Sequence, residues 1–213
     1  MSPPGEQELA DRSPGREQSD EEVDGRHALV EWIVIVVVAL VAALLIKTFA
    51  VQAFFIPSAS MEPTLMIKDR VLVNKLSYDF HPVHVGDIIV FRRPPNDNSM
   101  NIGDLIKRVV GLPGQTIGVS NCRVYINGKQ LSQPYLPAGW EETSSPYCTA
   151  WPTAGCAGSC LPNPYTIPQG DYFVMGDNRG DSFDSRYWGP LPASYIVGRA
   201  FVRMWPPNRI GSL

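Results

Sequence analysis

The sequence is short of histidine, of basic charge and of metal-binding cysteine spacings, and each shortage excludes a class of function. Three histidines occur in 213 residues, so a serine nucleophile has few imidazole bases to choose from. The 18 basic and 21 acidic side chains leave a formal net charge of −3, which argues against nucleic acid as a partner. The cysteines include no Cys-x-x-Cys pair, which disfavours a zinc site, and nothing else in the sequence implies a metal or a cofactor.

Long apolar runs are also rare, and the single one covers residues 28–46, interrupted only by Glu31. A helix of that length, rising about 1.5 Å per residue, spans the hydrocarbon core of a bilayer. We predict a transmembrane anchor over residues 28–50. Residues 1–27 hold three basic and eight acidic side chains and are expected to form a disordered acidic tail. A cleaved signal peptide is disfavoured, because its leading segment should be short and basic.

Four cysteines follow the apolar run, at positions 122, 148, 156 and 160. An even set outside the membrane favours disulfides and an oxidising compartment, and four cysteines allow three pairings, among which the sequence does not choose. Three of them fall in a stretch rich in Pro, Gly, Ser and Thr. We therefore predict an irregular, disulfide-stapled insertion over residues 132–168.

From residue 51 onward the pattern is typical of antiparallel β-sheet. Short runs of β-branched and aromatic residues recur between turn signals, and Asn127-Gly128 predicts a two-residue hairpin. We predict a mainly β fold, with a β-rich core over residues 51–131 and 169–213. Strands are predicted at residues 70–75, 87–91, 104–110, 116–126, 171–175 and 196–205.

Ser60 is a candidate nucleophile, because it stands in a proline-bounded turn soon after the apolar run. A serine hydroxyl needs a neighbouring base. A lysine can serve if burial lowers its pKa, and strand alternation places Lys107 on one face with Leu105 and Val109. Lys75 has a similar apolar setting.

A histidine base is the other alternative. His81 and His84 lie together in a turn-like segment, and His27 precedes the apolar run. Pattern alone does not choose between these histidines and the two lysines.

Several segments together resemble the bacterial type I signal peptidases, a family of membrane-anchored serine–lysine endopeptidases. Their order along the chain, after an N-terminal anchor, makes the resemblance specific. The segments are FFIPSASMEPTL at 54–65, DRVLVNK at 69–75, GDIIVF at 86–91, KRVVGLPG at 107–114, GDNRGDSFDSRYWG at 176–189 and GRA at 198–200.

The resemblance implies a reaction and the residues that carry it out. The reaction is removal of N-terminal signal peptides from exported preproteins, after small residues in an Ala-x-Ala pattern. Ser60 would be the nucleophile and Lys107 the general base. The Ser58 side chain and the Ser60 N–H would form the oxyanion hole, and Ser182 would orient the lysine amine.

The resemblance also implies a stiffened loop and a substrate pocket. Asp184 and Arg186 are expected to stabilise the loop behind the dyad. Shallow apolar pockets for small substrate side chains are expected from Phe54, Ile56, Pro57, Met61, Leu65 and Ile106.

The implied location is the bacterial inner membrane, as a single-pass protein with its catalytic domain on the extracytoplasmic side. The expected partners are signal-peptide-bearing preproteins, the lipid bilayer and the protein-export machinery, but no nucleic acid. Trp188, Trp205 and residues 51–56 are expected to rest on the lipid interface. The alternative is a non-catalytic, membrane-anchored β domain that binds proteins at the cell surface. Catalysis requires Ser60 and Lys107 within about 3 Å, and the binding domain does not.

Overall fold

The chain divides into two compact units, Met1–Lys47 and Thr48–Leu213. The structure is a computed structural model that describes residues 29–44, 50–95, 97, 103–140, 142, 145, 148–152, 156 and 160–213. The first unit contains helix α1, residues 29–44, whose apolar side chains are exposed. The predicted tail at 1–27, and residues 28 and 45–49 of the predicted anchor, lie outside the described residues.

Within the described ranges, no helix is both long enough and apolar enough to cross a membrane.

The second unit is mainly β, as predicted. Its described residues form two short helices, α2 (Ser77–Phe80) and α3 (Ser185–Trp188), and short strands. The strands are β1 (Val51–Phe55), β2 (Arg70–Asn74), β3 (Ile88–Arg92), β4 (Asp104–Gly111), β5 (Thr116–Ser120), β6 (Arg123–Ile126), β7 (Lys129–Gln130), β8 (Tyr165–Thr166), β9 (Asp171–Met175), β10 (Leu191–Pro192), β11 (Ile196–Trp205) and β12 (Gly211–Ser212).

A large antiparallel sheet carries the centre of this unit, in the order β1-β2-β11-β3-β4-β9-β10, with β12 added beside β11. Successive side chains of a strand point to opposite faces. Ile88 and Val90 of β3 therefore join one core cluster, whereas Ile89 and Phe91 join another. Because both faces are covered, β3 and β4 are buried nearly throughout.

A smaller antiparallel sheet follows the order β7-β6-β5-β8. The predicted hairpin at Asn127-Gly128 is confirmed, and both residues have the positive φ that a tight hairpin turn requires, 50° and 77°. The single strand predicted at 116–126 is wrong. The chain reverses at Asn121 and Cys122, which also have positive φ, so the run forms the pair β5 and β6.

Two disulfides join Cys122 to Cys148 and Cys156 to Cys160. The first ties residue 148 to the turn between β5 and β6, and it closes 26 residues of chain. Next to it, Thr149 forms an isolated antiparallel bridge with Cys122. Strand β8 forms inside the stretch predicted to be irregular.

Candidate active site

Ser60 lies in one turn of 3-10 helix, Ala59–Met61, that follows β1. The backbone N–H of Glu62 donates to the Ala59 carbonyl at 3.0 Å and closes the turn. Met61 is fully buried and anchors the turn to the core, while Ser60 is 8% exposed. The local sequence therefore holds the Ser60 hydroxyl at a fixed position.

The amine of Lys107 donates to Ser60 Oγ at 2.6 Å. Lys107 lies on β4, opposite Ile89 of β3, and is 4% exposed. Burial lowers the pKa of Lys107 to about 8, against the opposing effect of nearby carboxylates such as Asp184. A lysine with this pKa is partly neutral near physiological pH, and a neutral amine can accept a hydroxyl proton.

Ser58 lies beside the same hydroxyl, with 3.3 Å between its Oγ and Ser60 Oγ. Its backbone is extended at the start of the 3-10 turn, and its side chain makes no capping hydrogen bond. The hydroxyl can therefore turn toward a negatively charged oxygen that forms next to Ser60.

A buried carboxylate closes the loop of residues 176–186. Asp184 accepts hydrogen bonds from the Gly176 N–H at 3.0 Å and from Ser182 Oγ at 2.8 Å. It also accepts hydrogen bonds from Arg186 Nε at 2.8 Å and from Arg186 Nη2 at 2.9 Å. Burial alone would raise the pKa of Asp184, but the charge and hydrogen bonds of Arg186, with those of Gly176 and Ser182, hold it below its usual value. This ion pair is buried on both sides.

The expected contact between Ser182 and the lysine amine is not formed. The Ser182 hydroxyl donates to Asp184, and the amine of Lys107 has Ser60 as its hydrogen-bond partner among the described residues. Ser182 is nevertheless close to the nucleophile. A methyl group built on Gly176 would overlap with both Ser182 Oγ and the backbone oxygen of Ser60.

A second buried ion pair joins the strand of the base to the loop 176–186, and a hydrogen bond from Thr64 extends it to the segment of the nucleophile. Arg108 donates to the two carboxylate oxygens of Asp177 at 2.8 and 2.7 Å, and Thr64 donates to Asp177 at 2.6 Å. Neither Arg108 nor Thr64 was among the predicted site residues. A signal was present, because two adjacent charges in an apolar strand, Lys107 and Arg108, require buried polar partners.

A cavity of about 440 Å³ opens beside Ser60 and Lys107. Four of the six predicted pocket residues line it, namely Phe54, Ile56, Pro57 and Ile106. The expectation for the other two is wrong. Met61 ends the 3-10 turn, and the Leu65 N–H donates to the Met61 carbonyl at 2.9 Å. Both side chains are fully buried and pack in the core with Ile56.

The alternative bases lie elsewhere in the described structure. His81 and His84 are exposed, and Lys75 lines a separate crevice together with His81. His27 lies outside the described residues. Of the four candidates that are described, Lys107 is the one that hydrogen bonds to Ser60.

The two tryptophans expected at a lipid interface differ in their exposure. Trp188 is 4% exposed and packs against Phe91, with 6.1 Å between ring centroids, so its expected lipid contact is wrong. Trp205 is 51% exposed. Trp188 is buried because α3 lays it against the core beside β3.

Comparison with known proteins decides the family. Residues 29–205 match the family described as signal peptidase, peptidase S26. The chain belongs to this signal peptidase family. The peptidase is therefore a serine endopeptidase, as the resemblance implied.

Relatives of the peptidase come from several bacteria. It is 42% identical over 189 residues to "Signal peptidase I" of Leptolyngbya laminosa, covering 87% of this chain and 84% of that protein. It is 42% identical over 178 residues to "Probable signal peptidase I-2" of Synechocystis sp., covering 83% and 73%. It is 35% identical over 178 residues to "Signal peptidase IB" of Staphylococcus aureus, covering 84% and 90%.

Proposed function

We propose that the peptidase removes N-terminal signal peptides from exported preproteins after Ala-x-Ala patterns, with Ser60 as nucleophile and Lys107 as general base. The observation that carries the proposal is the 2.6 Å hydrogen bond between the Lys107 amine and Ser60 Oγ. This distance is within reach for proton transfer. A non-catalytic binding domain would have no need of such a contact, nor of a buried lysine.

In the proposed first step, neutral Lys107 takes the Ser60 proton while Oγ attacks the scissile carbonyl carbon. The resulting ammonium then protonates the leaving amine as the C–N bond breaks, which leaves an ester between Ser60 and the signal peptide. In the second step, water attacks this ester and gives a proton to Lys107. The Lys107 ammonium returns this proton to Ser60 Oγ as the ester C–O bond breaks. The signal peptide departs as a carboxylic acid, which loses its remaining proton to solvent.

The negatively charged oxygen of each tetrahedral intermediate would be bound by Ser58 Oγ and the Ser60 N–H. The distance of 3.3 Å between Ser58 Oγ and the attacking atom supports this role. One such donor typically contributes about 3 kcal/mol to lowering the barrier. Asp184 and Arg186 would hold the loop that keeps Ser182 close to the dyad.

Substrate choice would follow from the cavity beside the dyad. Its apolar lining at Phe54, Ile56, Pro57 and Ile106 suits uncharged side chains, and the proposed Ala-x-Ala preference restricts these to small ones. These would be the residues one and three positions before the cut, as in signal-peptide cleavage sites.

The proposal places the peptidase in the bacterial inner membrane, anchored by residues 28–50, with the catalytic domain on the extracytoplasmic side. The two disulfides suit that oxidising side. Phe55, Arg70 and Trp205 are neighbours across β1, β2 and β11, and Phe55 and Trp205 are each more than half exposed. Exposed aromatic side chains beside an arginine are typical of a lipid interface. The export machinery would supply the preproteins.

A reconstitution experiment tests this function. Full-length peptidase in lipid vesicles should cleave a preprotein after its Ala-x-Ala sequence, as read by N-terminal sequencing of the product. Changing the alanine before the cut to phenylalanine should lower the cleavage rate roughly a hundredfold, because the proposed specificity is for small side chains at this position.

The matched control is a preprotein with serine before the cut, which should remain a good substrate. Cleavage at an unrelated position, or equal rates for alanine and phenylalanine, would refute the proposed specificity. Failure of the full chain to float with the vesicles would contradict the membrane location alone.

The pH dependence of kcat/KM should follow the titration of Lys107. The base must be neutral to accept a proton, so kcat/KM should rise with pH and level off above a pKa of about 8. Below that pKa, the rate should fall about tenfold per pH unit. Lys75→Met, which changes a lysine away from the site, should leave the profile unchanged. If kcat/KM instead rose with a midpoint near the ordinary lysine pKa of about 10.4, the assignment of Lys107 as the general base would be contradicted.

A further inference from the structure

We propose that the insertion is part of the catalytic apparatus, with Thr149 as a positioning residue that holds the catalytic loop 176–186 through Arg179. The Cys122–Cys148 disulfide keeps Thr149 in place. The proposal rests on the proposed function, because it takes Ser60 and Lys107 as the reacting groups.

Arg179 is a buried cation whose hydrogen-bond partners carry no charge. It is 2% exposed. It donates to the Gly176 carbonyl at 2.9 Å, to Thr149 Oγ1 at 2.9 Å and to the Tyr135 hydroxyl at 3.3 Å. None of the carboxylates in the described ranges forms an ion pair with it. Two of its three partners, Thr149 and Tyr135, belong to the insertion.

Such an arginine depends strongly on each acceptor. A buried charged donor that loses its partner must recruit water or move, since leaving it unpaired is costly. Arg179 also holds the Gly176 carbonyl at the start of the loop. A change at Thr149 is therefore transmitted to Gly176.

Thr149 is itself fixed by its neighbours. It is 2% exposed, forms a bridge with Cys122 and directly follows Cys148 of the disulfide. The Cys122–Cys148 disulfide thus holds the Thr149 hydroxyl where it contacts the catalytic loop.

The next residue makes a second contact with the same loop. The Ala150 carbonyl accepts a hydrogen bond from Arg186 Nη1 at 3.2 Å. Arg186 is the partner of Asp184, which in turn accepts from Ser182. Two consecutive residues of the insertion therefore bind the two buried arginines of the loop.

The loop packs directly against the nucleophile. The Asn178 N–H donates to the Ser60 carbonyl at 3.1 Å, and the Asn178 side chain donates to the Ala59 carbonyl at 3.3 Å. Gly176 has no room for even a methyl group between Ser182 and Ser60. Small shifts of residues 176–178 therefore move Ser60 relative to Lys107, and displacements of about 1 Å can cost two orders of magnitude in rate.

The decisive variant is Thr149→Val in the full-length protein, which removes the hydroxyl and keeps the shape. We expect kcat for preprotein cleavage to fall roughly tenfold. Thr149→Ser, which keeps the hydroxyl, should stay within about twofold of wild type. Thr166→Val is the matched control, because Thr166 is an exposed threonine of the small sheet whose hydroxyl pairs with that of Thr116, at 3.3 Å, and not with the catalytic loop.

The pH profile separates positioning from simple loss of folded protein. A loosened loop admits water to Lys107, so the pKa of Lys107 should rise. The rising part of the pH profile of Thr149→Val should therefore move to higher pH. Loss of folded enzyme would lower the rate equally at every pH. The charged groups that act on Lys107 are Asp184, Asp97, Arg186 and Asp177, and the variant leaves all four in place.

The disulfides give an independent test. Replacing both Cys122 and Cys148 with serine should lower kcat, as Thr149→Val does, and should move the rising part of the pH profile to higher pH. Replacing Cys156 and Cys160, whose disulfide closes only four residues, should leave kcat and the pH profile unchanged. Thermal unfolding and circular dichroism establish that each variant is folded.

If folded Thr149→Val had the kcat and the pH profile of wild type, the positioning role would be overturned. So would equal losses in Thr149→Val and Thr149→Ser. Neither outcome touches the dyad, which is tested by Ser60→Ala and Lys107→Met. Full activity in those two variants would overturn the proposed function, whatever Thr149 does.

Discussion

Lys107→Met is expected to lower kcat for preprotein cleavage by at least about 10³-fold, because it removes the proposed base while keeping the length of the side chain. Ser60→Ala should cause a loss of the same size, since it removes the attacking oxygen. Groups that act as a unit give non-additive losses. The double variant should therefore be no slower than either single variant, which single-turnover cleavage of a purified preprotein can measure.

The folded state should tolerate both changes. Lys107 is 4% exposed and next to Leu105 and Ile106, so a methionine fits its surroundings without leaving a buried charge. Lys75→Met is the matched control and should retain wild-type kcat, because Lys75 lies in a different crevice. Substantial activity in a folded Lys107→Met protein would show that another group takes the Ser60 proton.

The sequence alone pointed to a candidate nucleophile more readily than to a candidate base. Ser60 could be found from its turn, but Lys107 and Lys75 both have strand settings that favour burial. What separates them is a contact across 47 residues of chain, the hydrogen bond to Ser60. No local pattern contains such a distance. Before the structure, the choice depended on the family resemblance.

The strands were predictable where one local rule dominates. Residues 171–175 and 196–205 form β9 and β11 with the expected bounds, since β-branched and aromatic residues favour a pleated, half-buried surface. The break at Asn121-Cys122 was missed because no Gly or Pro marks it. The left-handed backbone there accompanies a disulfide whose partner is 26 residues away.

The outcomes for Met61 and Leu65 have a similar cause. An apolar side chain near Ser60 suits either a pocket wall or the core, and only the folded path of residues 59–65 distinguishes the two. The contacts of Thr149 and Ala150 with the catalytic loop were equally hidden, because they join an irregular segment without motifs to two arginines. The burial of Asp184 and Arg186 was hidden for the same reason, because the insertion contacts Arg186 at the Ala150 carbonyl.

Asp184→Asn is expected to lower the free energy of unfolding by about 3–5 kcal/mol, because it leaves the buried charge of Arg186 without its carboxylate. Asp184 and Arg186 are 0% and 1% exposed. For a domain of this size the midpoint of thermal unfolding should fall by roughly 10 °C. Asp79→Asn is the matched control. Asp79 is exposed on α2, so its change should stay within about 0.5 kcal/mol.

The pH dependence of this loss gives a second readout with a defined sign. The pKa of Asp184 is lower in the folded protein than its ordinary value, so its contribution is present above the unfolded pKa of about 3.9 and fades as the pH falls through the folded pKa. The difference in stability between wild type and Asp184→Asn should therefore be constant from about pH 5 to about pH 8, which is all above the unfolded pKa, and should narrow in acid. An asparagine variant as stable as wild type at neutral pH would show that the Asp184–Arg186 pair contributes nothing net, and that other groups hold Ser182 beside Ser60.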